Sequence, residues 1–238
     1  QRRAAAQAYR RRARQWRKRA PTAQVRAWLR HDPPPLVIRF VGQQSEVTLS
    51  PKDDAGHFDD DSVTVAAQAW RSRRTGSTHS VHPRLLMLLY RAVRRFRAPY
   101  LYLVSGYRVA RSRSTSRHRF GRAADVVLPG VSLTRLAAFF RRQGFVGVGL
   151  YPQSAFVHID VRHQSAFWID RSAPGRRGRP RTHLRQLAKR MDRQAEARGE
   201  TAVAELPADE GVDVPQIGVA ADEQSEALGE GTAQGKAR

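Results

Sequence analysis

Residues 156–161 read Phe-Val-His-Ile-Asp-Val, and the reading of the second half of the chain turns on their alternation. Successive side chains of a strand point to opposite faces, so His158 and Asp160 share one face while Val157, Ile159 and Val161 share the other. The apolar face suits a core. The polar face does not, because an unpaired buried charge is costly. A strand with one aliphatic face and one His–Asp face marks the edge of a site.

Working back along the chain, residues 116–125 read SRHRFGRAAD. His118 would approach a metal from a loop, and Asp125 from the start of a strand, AADVVL. Gly121, Ala123 and Ala124 keep the intervening backbone small enough to bring both groups to one point. A His and an Asp seven positions apart arise often by chance, and alone they read as a surface histidine and a strand-entry aspartate. With His158 they make three ligands and leave a fourth tetrahedral position open, as in catalytic rather than structural zinc sites. The chain has no cysteine, so any metal must be held by histidine and carboxylate. Ser105-Gly-Tyr-Arg108 follows the β-like run LYLV and sets an arginine at its exit.

The remaining pattern frames this constellation. Leu36–Val41 and Glu46–Leu49 flank Gly-Gln-Gln and predict a hairpin. Asp59, Asp60, Asp61 and Ser62 can cap a helix over Val63–Arg74, and Pro83 opens a second helix with Leu85, Leu86, Leu88, Leu89, Val93 and Phe96 on its apolar face. From Tyr100 onward LYLVS, AADVVL, VGVGLY and AFVHIDV read as short strands, with one amphipathic helix over Ser132–Gln143. Helices grouped ahead of short strands indicate an α+β fold, a small antiparallel sheet with helices packed on it. The expected organisation is a basic arm and linker (1–34), a packed domain (35–170), a basic linker and polar helix (171–198) and a disordered acidic tail (199–238).

Charge is extreme and uneven. The net formal charge is +22; residues 1–195 hold 40 Lys and Arg against 11 Asp and Glu, and residues 196–238 hold 3 against 10. Residues 1–30 contain eleven basic residues and no acid, which reads as a flexible, solvated arm. Such a body suits an anionic partner: nucleic acid, a membrane surface or a wall polymer. A nucleic-acid binder would need stacking aromatics or a groove-reading helix, which the pattern lacks. No window approaches a transmembrane span.

SGYR, then SxHxxGxAxD, then FVHID, resembles the zinc peptidases related to D-alanyl-D-alanine carboxypeptidases and dipeptidases, which share a fold with lysostaphin and the Hedgehog signalling domain. PGVSL through GVGLYPQSAFVHIDV is similar to the murein endopeptidase K type, envelope enzymes that cut peptidoglycan cross-links. The resemblance covers roughly Leu36 to Trp168. It implies Zn²⁺ on His118, Asp125 and His158, a substrate-side arginine at Arg108, and a motif serine at Ser116. It implies a zinc metallopeptidase acting on peptidoglycan peptides, exported to the periplasm or cell envelope with no signal peptide visible here; the protein is expected to be a monomer, and its basic arm to hold it near an anionic envelope polymer.

Three departures from the family pattern stand out. Ala155 occupies the position where some relatives have a glutamate base. Phe156 occupies the position where others have a histidine. The loop Val109–Thr115 is shortened and rich in Arg and Ser. Asp160 is then read either as the general base or as the acceptor of a metal histidine's far ring N–H. Arg108 is read as a clamp for a peptide carboxylate or an oxyanion, against a structural salt bridge. Tyr151 is expected to wall the site and Trp168 to close the core. His31, His57, His79, His82, His163 and His183 fall outside the pattern. The alternative function is a non-catalytic, zinc-containing cell-wall binding protein of the same fold, a reading that Ala155 feeds.

Overall fold

The computed structural model describes residues 2–41, 45–72, 74–109, 116–174 and 182–204. Its helices are α1 (Arg2–Trp16), α2 (Thr22–Trp28), α3 (Asp60–Ala69), α4 (Pro83–Phe96), α5 (Leu133–Arg141) and α6 (Arg185–Glu196). Its strands are β1 (Leu36–Phe40), β2 (Glu46–Leu49), β3 (Leu101–Ser105), β4 (Ala123–Val127), β5 (Val146–Tyr151), β6 (Phe156–Val161), β7 (Ala166–Ile169) and β8 (Thr182–His183). They form one mixed sheet in the order β2-β1-β3-β4-β6-β5-β7-β8. Neighbours run antiparallel except β1 beside β3 and β5 beside β7. The class is α+β, as the pattern indicates. No described helix is long and apolar enough to cross a membrane.

Local chemistry sets the element ends. The Asp59 carboxylate accepts from the Ser62 N–H at the start of α3 at 2.8 Å, and the Ser132 hydroxyl accepts from the Arg135 N–H at the start of α5 at 3.3 Å. Each meets one of the helix N–H groups that lack an internal partner. Pro83 sits in the first turn of α4, where a missing N–H costs nothing, and His82 caps it through Nδ1. The apolar side of α4, including Leu85, Leu86, Leu88 and Leu89, is fully buried. It packs against α5, β1 and β6, while α5 lies on β5 and β6. Val126, Val157, Ile159 and Val148 are all at 0% exposure, which leaves the opposite face of these strands for the site.

Two expectations change. The N-terminal segment is not a free arm. Tyr9, Ala13 and Trp16 are buried with the main core, and Tyr9 meets Trp16 edge-to-face at 5.6 Å. Their i, i+4, i+7 spacing places them on one side of α1, a narrow apolar stripe hidden among arginines. Trp28 is buried too, its indole N–H donating to the Pro35 carbonyl at 2.8 Å. At the other end, Ala188, Met191 and Val203 join the core, so the packed body reaches well beyond residues 35–170. The rest of the expected acidic tail, residues 205–238, lies outside the described residues, as do the hairpin turn (42–44) and most of the short loop (110–115).

Candidate metal centre

The sheet brings the motif residues together by register. Asp125 on β4 pairs directly with His158 on β6, and Ser105 on β3 pairs with Asp125 after an irregularity between Leu103 and Ser105. That bulge turns the exit of β3 toward the same face. His118 comes from outside the sheet, on a 3-10 turn over Arg117–Phe120. The turn ends at Gly121, whose φ is +60° and whose Cα packs so tightly on the Ser80 carbonyl that a Cβ would collide with it. The Gly121 carbonyl accepts from the His82 N–H at 2.9 Å, which ties the turn to the start of α4.

Three donor atoms converge. His158 Nδ1 lies 2.8 Å from Asp125 Oδ1, His118 Nε2 lies 3.3 Å from His158 Nδ1, and His118 Nε2 lies 3.5 Å from Asp125 Oδ1. Tetrahedral zinc with bonds of about 2.0–2.1 Å needs donors roughly 3.3 Å apart. The other ring nitrogens are already engaged. His118 Nδ1 is 2.7 Å from the Gly106 carbonyl, and His158 Nε2 is 2.9 Å from Asp160 Oδ2. Each of those partners accepts an N–H, so each ring keeps its proton on the far side and turns a lone pair to the common point. All three residues are buried, and among the described residues this is the one His/Asp/Glu group with metal-holding geometry. The donor set and spacing fit a divalent ion.

The electrostatics match. Burial lowers His118, an effect Asp125 partly opposes and Arg108 reinforces, so its imidazole stays neutral and able to ligate. Burial alone would lift Asp125, but His118 and His158 hold it far below the ordinary carboxylate range. Burial pulls His158 down, yet its hydrogen bonds to Asp125 and Asp160 prevail and raise it to about 9. In the metal-free protein that ring takes up a proton, which an incoming ion must displace.

Asp160 stands behind His158, on the side away from the three donors, at 1% exposure. Its Oδ1 accepts from Arg162 Nε at 2.6 Å and lies 3.4 Å from Arg117 Nε; its Oδ2 accepts from Arg162 Nη2 at 2.5 Å. From this position it can accept the far ring N–H of His158. A proton acceptor would have to face the cavity. Gly147 on β5 makes the arrangement possible: a Cβ there would strike the Asp160 carboxylate and the Arg162 guanidinium. Gly149 does the same for Trp168 and Tyr151. Trp168 therefore does not close the core. It is half-buried on the site face, 5.3 Å from the His158 ring, with its N–H donating to the Tyr151 hydroxyl at 3.0 Å.

A cavity of about 390 Å³ opens over the three donors, with Arg108, Ser116 and Tyr151 in its walls. Arg108 Nη2 is 3.4 Å from Asp125 Oδ2, and its side chain is 43% exposed, so the guanidinium is both paired and reachable. Sequence reasoning missed several contributors. Arg162 could have been found by extending the alternation from Asp160 by two residues. Asp170 had no such signal. It is fully buried in the cavity wall, with Oδ1 accepting from the Ser172 N–H at 2.8 Å and Oδ2 without a hydrogen-bond partner among the described residues. Of the remaining histidines, His57 pairs with Asp53 at 2.6 Å and His79 packs near Tyr107; neither belongs to the donor group.

A family model described as peptidoglycan L,D-endopeptidase MepK matches residues 35–166. The chain is 39% identical over 107 residues to proteins named peptidoglycan L,D-endopeptidase MepK from Escherichia coli K12, Escherichia coli O157:H7 and Shigella flexneri. Each match covers 39% of this chain and spans 57% of the relative's length. No solved structure matches.

Proposed function

We propose, from the premise that this chain belongs to the MepK family of peptidoglycan L,D-endopeptidases, that it is a zinc-dependent hydrolase of peptide bonds in peptidoglycan cross-links. The observation that carries this reading is the trio of His118, Asp125 and His158 lone pairs meeting at one buried point beneath an open cavity. Among divalent ions, zinc suits two imidazoles and one carboxylate with a position left open. When bound, it supplies a Lewis acid for the scissile carbonyl and a water acidified to near ~7.

The protein's own residues do the rest. Gly106 and Asp160 hold the two imidazoles in the ligating tautomer. Asp160 is a positioning residue, and Arg162 and Arg117 keep its carboxylate charged and aimed. Arg108, half released from Asp125, can take a substrate carboxylate or an oxyanion with charge-assisted hydrogen bonds. Tyr151 stacks on Phe156 at 4.6 Å and forms one wall of the cavity beside Trp168; Ser116 forms part of another. Such a hydrolase would act in the periplasm or cell envelope, where its polymer lies.

One observation favours the second reading, a zinc-holding cell-wall binding protein. Ala155, in the position of some relatives' glutamate, is a buried methyl group that offers no proton acceptor. Zinc-loaded protein incubated with peptidoglycan sacculi separates the two. Release of new muropeptides, abolished by a chelator and restored by zinc, supports hydrolysis. Binding to sacculi with no new muropeptides leaves the binding protein.

A further inference from the structure

The outer side of α1 carries charge that no described residue neutralises through an ion pair. Arg10, Arg11, Arg12 and Arg14 are exposed, and Arg17, Lys18 and Arg19 continue the series beyond the helix end. None of these seven forms an ion pair among the described residues. Arg10 and Arg14 are four apart, so they face each other across one helical turn and repel. An isolated helix of this composition would be poorly stable; its apolar stripe holds it to the body.

The place where α1 docks matters as much as its charge. The Tyr9 hydroxyl donates to the Ser154 carbonyl at 2.6 Å, and Ser154 is itself part of the wall of the metal-centre cavity. Tyr9 is close enough to feel Asp125. Burial first, and then that carboxylate, keep its phenol protonated up to about 12. Further along, the Gly130 N–H donates to the Arg17 carbonyl at 3.1 Å, and a Cβ on Gly130 would run into Arg19. The helix is thus fastened at Tyr9 to the cavity wall and at Arg17 to the loop that follows β4.

We propose that this ridge is a binding surface for the polymeric substrate itself, the peptidoglycan strand whose peptide carboxylates would lie along α1 while one cross-link enters the cavity. The inference rests on the functional reading above and adds to it a second contact area outside the residues that the family model matches. Rows of carboxylates supply the complementary charge, and the fixed helix presents the arginines without the ordering cost of a loose arm. Because the ridge is exposed, its attraction is screened within about 10 Å at 0.1 M salt.

The test compares the full-length, zinc-loaded protein with Arg10→Gln/Arg11→Gln/Arg14→Gln and with the charge-keeping Arg10→Lys/Arg11→Lys/Arg14→Lys. Co-sedimentation with sacculi is read from low to high sodium chloride, and hydrolysis is read as the ratio of rates on sacculi and on a short soluble cross-linked peptide. The glutamine variant is expected to bind sacculi on the order of tenfold more weakly at low salt, to lose most of the salt dependence, and to show a comparable fall in the rate ratio. The lysine variant should retain wild-type behaviour. Unchanged sedimentation of the glutamine variant overturns the proposal, as does an equal fall on both substrates. Tighter binding of a charge-matched DNA duplex than of sacculi assigns the ridge to nucleic acid and also overturns it. If the wild type releases no muropeptides, sedimentation alone still decides about the ridge, while the hydrolase reading fails separately.

Discussion

Asp160→Asn keeps the shape of the side chain and removes its charge, so it separates orienting from proton-accepting roles. In the wild type both carboxylate oxygens are occupied, by His158 and Arg162 on Oδ2 and by Arg162 and Arg117 on Oδ1. Asparagine has one acceptor oxygen. If that oxygen serves His158, the amide NH₂ must face the Arg162 and Arg117 N–H groups, setting donor against donor. Removing one partner of a buried ion pair costs about 3 kcal/mol, which for a chain of this size lowers Tm by roughly 6–12 °C. The histidine keeps a weaker acceptor, and zinc affinity should fall about 10–100-fold, equivalent to roughly 1.4–2.7 kcal/mol. Competition with a chromophoric chelator gives the affinity, and a thermal melt of the same sample gives Tm. Once zinc is saturating, single-turnover cleavage should recover to within about tenfold of wild type. Full zinc affinity and an unchanged melt, with cleavage slowed on the order of the ~10²–10⁴-fold typical of a lost general base, would refute the orienting role.

Further outcomes follow from the same geometry. Elemental analysis of protein purified without added metal should find one zinc per chain, and His118→Ala/His158→Ala should remove it; retention of one ion per chain in that variant would exclude this site. Gly147→Ala should mimic Asp160→Asn in both zinc affinity and melting, since the new methyl group displaces the Asp160–Arg162 pair. Deleting residues 1–17 removes Tyr9, Ala13 and Trp16 from the core and should cost roughly 3–6 kcal/mol for the two aromatic side chains, visible in a urea titration; an unchanged midpoint would mean that α1 is not docked in solution. Burial, aided by the Asp125 charge, raises Tyr9 from 10.0 to about 12, so between those values the unfolded chain gives up a proton that the folded one keeps. Stability is therefore whole below about pH 10 and declines toward 12, and Tyr9→Phe should flatten the fall of Tm with pH in that window.

Much of the site was legible because two periodicities overlap on it. Alternation in FVHIDV assigned His158 and Asp160 to one face, and β4 pairs Asp125 with His158 in register. Helix starts were legible from Asp59, Pro83 and Ser132, whose side chains act locally. What escaped depends on long-range packing. The docking stripe of α1 is only Tyr9, Ala13 and Trp16 amid arginines, so composition pointed to a solvated arm. Trp168 read as core because large aromatics usually are, but Gly149 leaves space for it on the other face. The choice between the two roles of Asp160 required knowing which nitrogen of His158 faces the donors, and a one-dimensional pattern does not carry that.

The three donors are not equally anchored. Asp125 and His158 are rungs of the same ladder, on the central strands β4 and β6, so moving either one means unzipping the sheet. His118 stands outside the sheet on a 3-10 turn, held through Gly121 to Ser80 and His82, through its carbonyl to the Arg108 N–H and through Nδ1 to the Gly106 carbonyl. That turn can shift without breaking a strand pair, so of the three donors His118 is the one whose position is set by loop contacts. Residues around 80–82 and 121, none of them a donor, would therefore tune how readily a metal is held while leaving the sheet that defines the site unchanged.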